Sequence, residues 1–210
     1  MLDSLKHFAR ESWLLVVASV LCGLLLAATN AALGPRIEVN KALKLTSLAG
    51  GLLPAAQAFA PLSSPVEVKG LGGETESAAV FRATTDDQTV GWVFKVVGSG
   101  FADKIELVVA ADASFSKLVG YDVVSSSETP GFGDQIKDAY YRNQFTGAPV
   151  GQLSLVGLGA AKEQDIDSTI VAISGATISS TAVVQAMNHY LPQLKDQLQQ
   201  KGLIGHGNNP

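Results

Sequence analysis

Apolar and polar positions change their rhythm twice along the chain. No charged residue occurs over 12–35, and the run 13–33 is apolar enough to enter hydrocarbon. As a helix rising about 1.5 Å per residue, that run spans roughly 32 Å, against about 30 Å of bilayer core. The pattern predicts one transmembrane helix, with Trp13 at an interface and Pro35 as a stop. A cleaved signal peptide is the rival reading. The run is long for one, however, and Ala27-Ala28-Thr29-Asn30-Ala31 offers no clear cleavage site, so retention is preferred. Flanking charge does not orient the helix, because Lys6 and Arg10 precede it while Arg36, Lys41 and Lys44 follow it.

After the apolar run, 36–60 reads as a helical stalk interrupted near Pro54 and Pro61, and 61–73 as a Pro, Gly and Ser-rich linker. The expected organisation is therefore an N-terminal segment and anchor over 1–35, stalk and linker over 36–73, a folded domain over 74–203 and a tail over 204–210. Within the domain, β-rich runs fall at 78–83, 90–97, 105–110 and 118–125, close enough in sequence for a meander. A short helical stretch is expected over 134–143, with further strands at 153–158 and 169–173. The last helix is expected to start near Ser179 or Ser180. There Val183, Met187, Tyr190, Leu194 and Leu198 recur at three- and four-residue steps, and Pro192 should kink or restart the helix. Strands followed by appended helices indicate an α+β class: an N-terminal transmembrane helix, then one domain with an antiparallel sheet and flanking helices.

Composition narrows the chemistry. The 15 basic residues are outnumbered by 19 acidic ones, so a phosphate-backbone-neutralising surface is not expected, nor is nucleic acid as a partner. Cys22 is the single cysteine, which rules out an intrachain disulfide and a thiolate-held iron–sulfur centre. His7, His189 and His206 lack the spacing that sets two imidazoles on one helix face, so no metal site is expected.

The stretch Ser174-Gly175-Ala176-Thr177-Ile178-Ser179-Ser180-Thr181 carries hydroxyls on five of eight residues, just before the last helix. A helix N-terminus offers unpaired N–H groups and a partial positive charge, which suits a phosphate. Gly175 permits a tight turn and Ala176 permits close approach. The plainer reading is that Ser179 or Ser180 caps the helix and Thr177 is an ordinary turn residue. On spacing alone that reading has the stronger claim.

The tetrapeptide Ser174-Gly175-Ala176-Thr177, followed by Ile178-Ser179-Ser180, resembles the flavinylation motif of the FMN-binding domain in Rnf and Nqr electron-transport complexes. The upstream string Ser127-Glu128-Thr129-Pro130-Gly131-Phe132-Gly133-Asp134-Gln135-Ile136 is similar to the second hallmark of that family. The anchor, the length and the 90–100 segment resemble the G subunit of the Rnf electron transport complex; the homologous C subunit of Nqr is usually longer. This resemblance implies FMN linked covalently through its phosphate to Thr177, installed from FAD by a separate Mg-dependent flavin transferase. It places Ser174, Gly175, Ala176, Ser179 and Ser180 around the phosphate. Glu128, Thr129, Pro130, Gly131 and Gly133 would lie near the ring, with Glu128 accepting a hydrogen bond from the flavin or from its own loop. Phe132, Trp92 and Tyr121 are aromatics that could stack on the ring but belong more often to a core.

The same resemblance implies a non-autonomous redox subunit, with neither catalytic side chains nor a metal of its own. It would sit among other Rnf-type subunits that couple electron flow between ferredoxin and NAD to Na+ or H+ movement. It would be a single-pass protein of the cell inner membrane, with its domain on the periplasmic or extracytoplasmic side. One departure stands out: many family members carry Asp three residues before the tetrapeptide, where this chain has Val171, and Asp165 and Asp167 are out of register. Val171 keeps open a membrane-tethered binding or assembly module without working flavin. Domain reuse keeps open a flavin subunit of an Nqr-type or other exported system.

Overall fold

The structure, a computed structural model, describes residues 2–161 and 166–205, the side chains of 2–11, 35–39 and 41–42 excepted. Asp165, His206 and the side chains of His7, Lys6, Arg10, Arg36 and Lys41 lie outside the described residues. Helix α1 (Leu2–Leu52) enters both of the compact units into which the chain divides, Met1–Leu43 and Lys44–Pro210.

In the first unit, Ser12–Gly34 has a mean hydropathy of 2.2 over its most apolar window and buries none of it. Its 23 residues are long and apolar enough to cross a bilayer. Of its three hydroxyls, those of Ser19 and Thr29, deep in the apolar run, need no water. Ser19 Oγ donates to the Val16 carbonyl at 2.8 Å and Thr29 Oγ1 to that of Leu25 at 2.7 Å, so both stay satisfied in an apolar medium.

The second unit is built on a five-stranded antiparallel sheet in the order β1-β4-β5-β6-β7, formed by Ala58–Pro61, Val80–Thr85, Gln88–Ser99, Lys104–Asp112 and Leu118–Ser125. The last four form the expected meander, with Phe94 opposite both Val80 and Val109. Strands β5 and β6 are apolar on both faces because both faces are covered. Trp92, Phe94, Val96, Leu107 and Val109 join the core that includes Val183, Met187, Leu191 and Leu194 of α3 (Thr177–Gln200). Val93, Val108 and Ala110 face the other way and pack with Leu45, Ala49 and Leu53. This explains why those strands read as nearly unbroken apolar runs. Helix α3 lies close against β5, since a β-carbon at Gly98 would sit 2.7 Å from the Ala182 carbonyl oxygen.

Strands β1 and β2 (Val66–Lys69) fall within the 36–73 stretch, and β2 pairs with β3 (Thr75–Ala78). Val66 and Val68 are buried while Glu67 and Lys69 are exposed, a two-residue period obscured by the surrounding Pro, Ser and Gly. His189 is structural here: its Nε2 lies 2.6 Å from the Lys69 carbonyl oxygen. Helix α3 runs through Pro192 without restarting.

The helix expected over 134–143 is instead a 3-10 turn (Gly133–Lys137), a short α2 (Ala139–Arg142) and a second 3-10 turn (Asn143–Phe145). Asp138 is extended, at φ −74° and ψ 144°, and interrupts the helical course. Two buried phenols hold these pieces in place. Tyr121 donates to the Ile136 carbonyl at 2.7 Å and Tyr141 to that of Ser180 at 3.2 Å, and burial raises both phenol pKa values. Beyond them, β8 (Ser154–Val156) and β9 (Thr169–Val171) pair in parallel. The buried Gln144 side chain accepts from the Val171 N–H at 2.7 Å and donates to the Val171 carbonyl at 3.3 Å.

Candidate functional site

The chain leaves β9, turns at Gly175 with φ 75°, and enters α3 at Thr177, two residues earlier than expected. Only a residue free of a β-carbon penalty takes the Gly175 conformation without strain. Ala176 is the N-cap, at φ −134° and ψ 40°, and no side chain caps the helix. This corrects the capping expectation for Ser179 and Ser180. Ser180 Oγ donates to the Ala176 carbonyl at 3.0 Å and accepts from the Ile173 N–H at 3.0 Å. Ser179 Oγ donates to Glu128 Oε2. Both serines point inward and are buried. Among the described residues, the N–H groups of Thr177, Ile178 and Ser179 have no acceptor, while the Ser174 and Thr177 residues are exposed.

Ser180→Ala should leave the Ile173 N–H without its buried acceptor. The expected cost is about 1–2 kcal/mol of stability, read as a lowered urea midpoint at unchanged slope.

The second segment approaches from the sheet side. Gly131 has φ 77°, and its N–H donates to Asp134 Oδ1 at 2.7 Å. Glu128 is buried, and its carboxylate bonds outside its own loop. Its Oε1 accepts from the Ala102 N–H, in the β5–β6 connection, at 2.9 Å, and its Oε2 accepts from Ser179 Oγ. One carboxylate thus ties together a hairpin tip, the 128–133 loop and the first turn of α3. Gly133 makes this possible, since a β-carbon there would lie 2.4 Å from Ser179 Oγ and 2.5 Å from Glu128 Oε2.

Between these elements opens a cleft of about 450 Å³. Glu128, Thr129 and Gly133 line it together with Gly175, Ala176, Thr177 and Ser179. Ser174, Ser180, Pro130 and Gly131 do not line it. Phe132 does, and is 57% exposed, whereas Trp92 and Tyr121 are wholly buried in the core. Two lining residues escaped sequence reasoning, Phe101 and Ile178. Phe101 had one available signal: a bulky aromatic directly after Gly98-Ser99-Gly100, where a hairpin tip leaves it little to pack against.

An uncapped helix start with an exposed hydroxyl, set beside an apolar wall of Phe101, Phe132 and Ile178, fits a ligand with a phosphate at one end and a flat apolar ring at the other. That is the class of site an FMN-binding domain requires, and the FMN-binding domain family model matches residues 100–192. The chain is 30% identical to the G subunit of the ion-translocating oxidoreductase complex of Methanosarcina acetivorans, over 87% of this chain and 92% of that one. It is 29% identical to the G subunit of the proton-translocating ferredoxin:NAD(+) oxidoreductase complex of Clostridium ljungdahlii, over 54% of this chain and 58% of that one. In three dimensions it is similar to the crystal structure of Shewanella oneidensis NqrC, with a TM-score of 0.56 and 25% identity over 71% of this chain and 73% of that one. The chain belongs to the family of G subunits of ion-translocating oxidoreductase complexes, and its α+β domain has the NqrC-like fold.

Val171, at the position where the resemblance expects Asp, is buried in β9 with its backbone held by Gln144. Asp167 serves locally, its Oδ1 accepting from the Thr169 N–H.

Proposed function

We propose that this chain is a single-pass, membrane-anchored electron-transfer subunit whose domain carries FMN through a phosphoester bond to Thr177. The observation that carries the reading is the exposed Thr177, standing at the start of α3, where no side chain caps the helix, on the wall of the cleft. In the loading step, the Thr177 Oγ1–P bond forms, the bond from that phosphorus to the AMP half of FAD breaks, and the hydroxyl proton is released. FMN, when bound, supplies the redox chemistry of its ring. The chain's own residues hold and shield it. The free N–H groups of the first helical turn would hold its phosphate, Phe101, Phe132 and Ile178 would shield its ring from water, and Glu128 fixes the three segments that form the cleft.

The Ser12–Gly34 span anchors the protein in the inner membrane with the domain on the extracytoplasmic side, where other subunits of the complex donate and accept electrons. A flavin transferase is needed as a maturation partner. The ion path belongs to those other subunits, because the span contains no ionisable residue apart from Cys22. Intact-mass measurement of the chain co-expressed with a competent transferase tests this reading: a gain of one FMN less one water is expected. A colourless protein of unmodified mass would instead favour the tethered assembly module, to which the apolar Val171 lends its support.

A further inference from the structure

We propose that Glu128 sets the charge selectivity of the cleft, disfavouring the multiply charged phosphate of unattached FMN, so that the flavin is retained by its bond to Thr177 and not by electrostatic affinity. The inference rests on the flavin reading of the cleft. Sites that hold free phosphates usually supply Arg or Lys as counter-charge. Among the described residues lining this cleft there is no Lys, Arg or His, and Glu128 is the one carboxylate.

That carboxylate is fixed in place. The Ala102 N–H and Ser179 Oγ each donate to one of its oxygens. Gly100 and Gly133 close around it, and a β-carbon on either would lie 2.4 Å from Oε1 or 2.5 Å from Oε2. Because the Ser179 hydroxyl hydrogen is committed to Glu128, Ser179 Oγ presents an acceptor to the cleft, and only the backbone N–H of Ser179 is left to donate to a phosphate. A volume of about 450 Å³ corresponds to a cleft on the order of 8 to 10 Å across, about one Debye length at 0.1 M salt, so a charge anywhere in it is felt by Glu128. The helix start opposes this with a partial positive charge of roughly one half. A free phosphomonoester carries about −1.5 to −2 at neutral pH. The diester formed at Thr177 carries one charge, so attachment removes much of what Glu128 penalises.

The test uses the full chain in detergent with Thr177→Val, which blocks attachment, titrated separately with FMN and riboflavin and read by flavin fluorescence anisotropy. Riboflavin has the same ring and ribityl chain without the phosphate, so each variant supplies its own reference. General damage to the cleft moves both affinities together. Riboflavin is expected to bind at least as tightly as FMN. Adding Glu128→Gln keeps an acceptor for Ala102 and the packing but removes the charge, and should tighten FMN relative to riboflavin about tenfold. Raising the salt from about 20 mM to about 500 mM should bring the single variant toward the double one. FMN binding ten times more tightly than riboflavin with Glu128 in place, or a ratio unmoved by Glu128→Gln, overturns the inference alone. Binding of neither flavin overturns the reading of the cleft and the inference with it.

Discussion

Thr177→Val, produced beside a competent flavin transferase, is expected to carry no covalent flavin. Its intact mass should be that of the bare chain, and no fluorescence should follow it on a denaturing gel. Valine keeps the shape of threonine and lacks the oxygen that forms the ester, so the loss should be complete. Because Thr177 is exposed at the first position of α3 and caps nothing, stability should change by less than about 0.5 kcal/mol. The pairing of total loss of flavin with an unchanged melting temperature is what separates an attachment residue from a folding residue. Covalent flavin persisting in this variant would show that another hydroxyl, such as the exposed Ser174, carries the ester.

The second large effect is expected at Gly133. An alanine there places its methyl 2.4 Å from Ser179 Oγ, 2.5 Å from Glu128 Oε2 and 3.0 Å from Glu128 Cβ. Neither neighbour can withdraw easily, because Glu128 is buried and held by Ala102 while Ser179 sits in the first turn of α3. Overpacking of this kind costs roughly 1–3 kcal/mol, which lowers the melting temperature by several degrees in a chain of this size. Flavin loading should fall as well, since the clash separates the two walls of the cleft. Gly131 provides the control. Its β-carbon would meet nothing, and only its φ of 77° penalises a side chain, so Gly131→Ala should cost about 1–2 kcal/mol and spare the wall. If Gly131→Ala reduces loading more than Gly133→Ala, close packing at Gly133 is not what shapes the site.

The meander was legible because β4 to β7 are adjacent, rich in β-branched residues and separated by recognisable turns. Their extent was underestimated at β5 and β6, where the pairing runs on past the apolar sequence into Gln88, Thr89, Gly98, Ser99, Lys104 and Asp112. Strands β8 and β9 fall within the expected 153–158 and 169–173, but their parallel pairing was not legible, since short strands joined across a long connection leave no local signal of which neighbour each takes. The cluster of hydroxyls at the start of α3 places Thr177 and Ser179 on one wall of the cleft, but its wiring was concealed. Ser179 and Ser180 resemble caps in sequence, yet tertiary contacts to Glu128 and Ile173 take their side chains inward and leave a plain alanine at the cap. Glu128 was singled out through the resemblance, and it lines the cleft. Its partners were not legible, because they come from elements far away in the sequence.

The free edge of β9 is covered by side chains instead of by another strand. The side of β9 turned away from β8 carries the backbone groups of Thr169 and Val171, the kind of edge that can template a foreign strand. Asp167 occupies the Thr169 N–H, and the Gln144 amide occupies both the N–H and the carbonyl of Val171. A single glutamine side chain thereby imitates a neighbouring strand and leaves an incoming peptide neither backbone group of Val171 to grip. Copies of the domain crowded together would find the Val171 stretch of this border already taken, which disfavours mutual stitching there.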